Sequence, residues 1–294
     1  MPDAPFLSEN PSLRRKQRFL SWDFFIKNAA LVFSIVAVWM LYSVYIRPAA
    51  EDVAIESRFR AAQDPDFTAP RTLPVVLKDW EQQAEVTLWV WATILMSLKL
   101  RRLAVENRML NRDYLRLEPG ERILPDDSLG LYKDLQGELD TRRSWQDRIL
   151  PNVILASLHR FHSTRSIQDA SQSIKERSEV AADELEADLS LIRYIVWAIP
   201  SIGFIGTVRG IGEALAQAQK ALSGDISGVT DALGLAFNST LVALLLSLAL
   251  MFMLHLLQGR QDKLVLDIQN FCHDHVVSQM KIPSQESGTP AFQV

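Results

Sequence analysis

Hydrophobic and polar positions are strongly segregated along this chain. Residues 29–46 (AALVFSIVAVWMLYSVYI) carry no charge and follow Phe24, Phe25 and Ile26. Residues 24–46 therefore exceed the roughly 20 apolar positions that a helix needs to cross a bilayer. The run stops at Arg47-Pro48, a charge followed by a helix breaker. Residues 84–103 form a second, weaker span, the alternative being an interfacial helix, with Glu85 near its outer edge and Lys99 placed to snorkel. Residues 189–215 form a third span despite Arg193 and Arg209, and residues 229–257 a fourth, with its purest stretch at 241–254. Arg209 and Glu213 are spaced to pair on one helix face.

The polar segments complete the layout. Residues 47–83 contain Asp64-Pro65-Asp66, Pro70 and Pro74, which predicts mostly loop with short helical pieces. Residues 104–188 form a large insertion. Its basic start continues span two to residue 117, and Pro119-Gly120 and Pro125-Asp126-Asp127 break the chain. A helical pattern then runs from 131 to 188, restarting at Pro151 and turning polar and acidic from 163. Residues 216–228 are a short loop, and 258–282 hold a second amphipathic helix. On that helix His273 and His275 do not share a face and read as surface residues rather than a metal pair. Residues 283–294 read as a disordered tail.

Basic flanks orient the spans. Arg14, Arg15, Lys16, Arg18 and Lys27 precede span one, and Lys99, Arg101, Arg102, Arg108 and Arg112 follow span two. This puts residues 1–23, both termini and the 104–188 domain in the cytoplasm, with 47–83 and 216–228 outside. The fold class is an all-α membrane protein, with four transmembrane helices and long cytoplasmic helical extensions.

Composition narrows the function. Thirty-one Lys+Arg against 35 Asp+Glu in 294 residues leave a net charge of −4, which excludes a general nucleic-acid binder. Cys272 alone can form neither an intramolecular disulfide nor a cysteine-based zinc cluster. No phosphate loop, nucleophile elbow, dinucleotide fingerprint or HExxH is present, so neither enzyme nor cofactor is expected.

The most patterned segment is 200–211, PSIGFIGTVRGI. Pro200, Gly203, Thr207 and Gly210 fall on one helical stripe, and Gly206 with Gly210 makes a small-xxx-small pair. By spacing alone the stripe suits close helix packing, or a wall bearing one hydroxyl. Pro-x-x-Gly-x-x-Gly-Thr-Val-x-Gly-Ile resembles the third-helix signature of the MotA/TolQ/ExbB proton-channel family. Asp231-Ala232-Leu233 is similar to the acid-Ala-Leu that opens the family's next pore helix.

The resemblance implies a bacterial inner-membrane subunit that conducts H+, or alternatively Na+. It further implies a homo-oligomeric ring, a pentamer, around two copies of a MotB/TolR/ExbD-like single-span partner carrying the titrating Asp. Such a subunit powers a motor or energy-transducing complex. The expected pore lining is Thr207, Asn238, Thr240 and Asp231. Pro200, Gly203, Gly206 and Gly210 pack the motif, and Arg209 with Glu213 forms an intrahelical pair. Ala236 stands where the family has a threonine, and Thr240 lies one turn deeper on the same face. The absence of a carboxylate deep in any span agrees with a partner-borne acid. A permease component or a non-conducting scaffold are the competing readings; neither an internal repeat nor paired broken helices supports the first.

Overall fold

The computed structural model describes residues 11–63, 72–118, 120–142, 145 and 147–282. Asp64-Pro65-Asp66, Pro70, Pro119, the tail 283–294 and the side chains of Arg14, Arg15, Lys16 and Arg18 lie outside what is described. Ten α-helices occur among the described residues: α1 Pro11–Leu41, α2 Arg47–Gln63, α3 Leu73–Leu77, α4 Trp80–Met109, α5 Ser128–Thr141, α6 Ile149–Thr164, α7 Ile167–Ala187, α8 Ser190–Ala216, α9 Ala218–Leu222 and α10 Ser227–His275. The one β element described is an isolated bridge between Ile123 and Met280.

Three stretches are long and apolar enough to cross a membrane: Phe24–Ser57, Ile167–Ala216 and Ser227–Gln279. These contain the expected first, third and fourth spans. Residues 84–103 do not reach that threshold, although α4 runs through all of them.

Three expectations need correcting. First, the chain does not leave the helix at Arg47-Pro48. Residues Tyr42–Ile46 widen into a π-turn in which the Arg47 N–H bonds the Tyr42 carbonyl, and α2 continues beyond it. Pro48 lacks an N–H, and the wider turn just before it absorbs the missing bond. Second, residues 47–63 are accordingly helix rather than loop; only 73–77 matches the short helical pieces expected. Third, the basic helix after span two ends at Met109 and not at 117, while the amphipathic C-terminal helix is no separate element but the end of α10.

The chain divides into two compact units. One comprises residues 1–98 and 191–254. Here α4 meets α1 where Trp91 Nε1 donates to the Lys27 carbonyl at 3.0 Å. α10 meets α8 where the Ser247 hydroxyl donates to the Val196 carbonyl at 3.0 Å. Much of its apolar surface is uncovered, including Phe33 and Trp39 on α1, Trp197 and Phe204 on α8, and Leu248 and Phe252 on α10. A membrane protein can carry such surface because lipid or another copy covers it.

The other unit comprises residues 99–190 and 255–294. Its core is Leu150, Ile154, Leu158 and Phe161 of α6, Ala170 and Ile174 of α7, and Ile268 and Cys272 of α10. α6 stops at Arg165, which takes a left-handed φ of 53°, and Ser166 caps α7 by accepting from the Asp169 N–H. Buried Glu106 accepts from Arg148 at 3.2 Å and from the Ile149 N–H at 3.3 Å, fixing α4 to the start of α6. Burial still pushes its carboxyl up against the pull of Arg148. Lys99, near the end of the expected second span, pairs with Asp188. Burial also drives the Cys272 thiol up to about 12.

Candidate functional site

α10 packs tightly against the glycine stripe of α8. A Cβ on Gly203 would lie 2.4 Å from the Ala243 Cβ, and one on Gly206 would lie 2.6 Å from the Ser239 Cβ. On Gly210 it would meet the Ala232 carbonyl oxygen at 2.8 Å. All three distances are below any van der Waals contact, so the absent side chains set the helix separation. Pro200 sits inside α8 at the start of this stripe.

The half-buried Thr207 lies within the contact. Its hydroxyl is 3.2 Å from the Gly203 carbonyl on its own helix and 3.2 Å from the Ala236 carbonyl across the gap. It also hydrogen-bonds the Thr240 hydroxyl, which is 3.2 Å from the Gly203 carbonyl. Two hydroxyls from different helices thus share two carbonyl acceptors, in a contact that also holds the Ser239 side chain. The turn holding Ala236 contributes a carbonyl, while the hydroxyl itself comes from Thr240. Asn238 is half-buried and Asp231 is exposed, and neither is brought to the threonine pair by any hydrogen bond described.

Arg209 does pair with Glu213, at 3.1 Å, but that is the lesser of its bonds. Its Nε and Nη2 donate to both carboxylate oxygens of Glu81, at 2.5 and 2.9 Å, in a two-pronged ion pair. Glu81 is fully buried, and so are its neighbours Gln82 and Glu85. Buried carboxylates thus stand at the head of α4, with Glu85 at the edge of the span where the sequence places it. No sequence signal links Glu81 to Arg209 across 128 positions; the unpaired acids at the head of a weak span are the only hint.

A polytopic, all-helical membrane protein with a hydroxyl pair set in a glycine-lined helix contact is the class these features define. Residues 146–270 match the MotA/TolQ/ExbB proton channel family, a stretch that takes in α6, α7, α8 and most of α10. The resemblance read from 200–211 and 231–233 therefore holds over a much longer stretch. No curated protein and no solved structure matches the chain.

Proposed function

We propose that this chain is the H+-conducting subunit of a bacterial inner-membrane motor or energy-transducing complex. Five copies form a ring around two copies of a single-span partner, whose aspartate takes up and releases the transported ion. α4 serves as a fourth span over residues 84–103, and both termini face the cytoplasm. Thr207, Thr240, Asn238 and Asp231 face the ion path.

The observation that carries this reading is the Thr207–Thr240 pair within the tight contact of α8 and α10. A hydroxyl does not titrate near neutral pH, but it can donate to a carboxylate, accept from a carboxylic acid and orient water. It therefore suits a path whose titrating group is supplied by another chain. Uncovered apolar surface on α1, α8 and α10 agrees with lipid on one side and neighbouring subunits on the other.

The test is to co-express the chain with the single-span protein encoded beside it, count subunits by mass, and measure proton flux in liposomes. A stable ring with flux that falls in Thr207→Val supports the proposal. A monomer with and without the partner, or full flux in the Thr207→Val/Thr240→Val double variant, overturns it.

A further inference from the structure

In the unit formed by residues 1–98 and 191–254, four buried side chains have polar atoms with no hydrogen-bond partner among the described residues. They are Tyr42 in the π-turn, Gln82 and Glu85 on α4, and Ser239 on α10, each with no exposed surface. The orphaned atoms are the Tyr42 hydroxyl, both amide atoms of Gln82, both carboxylate oxygens of Glu85 and the Ser239 hydroxyl. Ser239 faces the Glu85 carboxyl from α10, and Tyr42 interacts with it from the π-turn. Buried polar atoms are nearly always satisfied, so six together from three elements call for an explanation.

Charge balance supplies one. Glu81 on its own helix, Tyr42 from the π-turn and the Ser239 hydroxyl, which opposes the others by donating toward the carboxyl, act on Glu85, with Arg47 and Asp79 acting on Tyr42 in turn. Arg47 donates to the Gln83 side chain. From α8, Arg209 spends both prongs on Glu81 and a third donor on Glu213. Among the described interactions no cation pairs with Glu85, and a second bare carboxylate one turn from Glu81 is strongly disfavoured away from water. Adding a proton removes the surplus charge, and the remaining carbonyl oxygen can still accept from the Ser239 hydroxyl, which is itself a donor.

We propose that Glu85 is a proton-binding site carried by the subunit itself, with the carboxylic acid as its resting form. Gln82, Ser239 and Tyr42 are its positioning residues. The site is separate from the Thr207–Thr240 pair and does not depend on the proposed ion path.

Infrared difference spectroscopy on the full-length chain in lipid nanodiscs tests this without any transport assay. The expected result at neutral pH is the carbonyl stretch of a buried carboxylic acid, lost in Glu85→Gln and retained in Glu213→Gln. Glu85→Gln keeps the shape and the neutrality of the acid, so the fold should survive. If it does not, glutamate labelled with carbon-13 and the variant Ser239→Ala decide the matter. The band must then shift with the label and move when the Ser239 hydroxyl is removed. A band absent from the native chain, a band that persists in Glu85→Gln, or one insensitive to both label and Ser239→Ala overturns the proposal. A band that disappears when sodium chloride replaces potassium chloride at fixed pH also overturns it, in favour of a cation site.

Discussion

Gly203→Ala is the sharpest probe of the α8–α10 contact. The new methyl carbon would start 2.4 Å from the Ala243 Cβ, with the Ser239 carbonyl oxygen at 3.2 Å and the Thr240 Cα at 3.3 Å. Carbon atoms rest about 3.5–4.0 Å apart, so the helices must part by about 1 Å or tilt. None of these three atoms is the end of a flexible side chain, and the strain falls on two backbones. Overpacking of this kind costs about 1–3 kcal/mol. The control is Gly212→Ala on the same helix, where nothing lies within 4 Å of the added carbon. There the substitution should be neutral or should stabilise by up to about 1 kcal/mol through helix propensity. Unfolding both variants reversibly in mixed detergent micelles should therefore separate them by a few kcal/mol. The double variant Gly203→Ala/Ala243→Gly exchanges the methyl group between helices and should regain most of the loss. Equal stability of Gly203→Ala and Gly212→Ala would refute the claim that missing side chains set the helix spacing.

Three other outcomes follow from the same geometry. Arg209→Leu leaves Glu81 buried without its two-pronged partner and should destabilise by about 3–5 kcal/mol, whereas Arg209→Leu/Glu81→Leu should recover most of it in the same unfolding assay. Thr207→Val keeps the side-chain shape, so the ring should persist in mass measurements while proton flux falls; each lost hydrogen bond should cost about 1 kcal/mol or less. Cys272, buried and with its thiol at about 12, should resist maleimide in the folded chain and react only on unfolding, as followed by mass.

The amino-acid pattern made the long apolar helices legible because a bilayer demands about 20 uncharged residues in sequence, a local property. Pro200, Gly203, Gly206 and Gly210 could be read as a packing stripe for the same reason, since helical spacing puts them on one face. Arg47-Pro48 misled because proline's missing N–H is a local fact, while the π-turn that accommodates it spreads over Tyr42–Ile46. Arg209 was assigned its neighbour Glu213, which is within reach on any helix. Its principal partner Glu81 depends on how α4 packs against α8, and no spacing rule carries that information. The Thr207–Thr240 meeting was half legible: Thr240 could be placed one turn from Ala236, but the contact between hydroxyls depends on how closely the two helices approach.

The Arg209–Glu81 bond also bears on biogenesis. α4 is synthesised well before α8, so Glu81 waits at the head of α4 with its counter-ion still unmade. An arginine in the apolar layer costs about 2.5–3.5 kcal/mol by insertion scales, which makes α8 a reluctant segment on its own. Each helix thus carries one half of a charge pair that only the other can neutralise. Chains truncated before residue 209 should leave Glu81 without its two-pronged partner and hold α4 loosely. Completion of α8 then supplies the missing partner, so the ion pair can form only once residue 209 has been made.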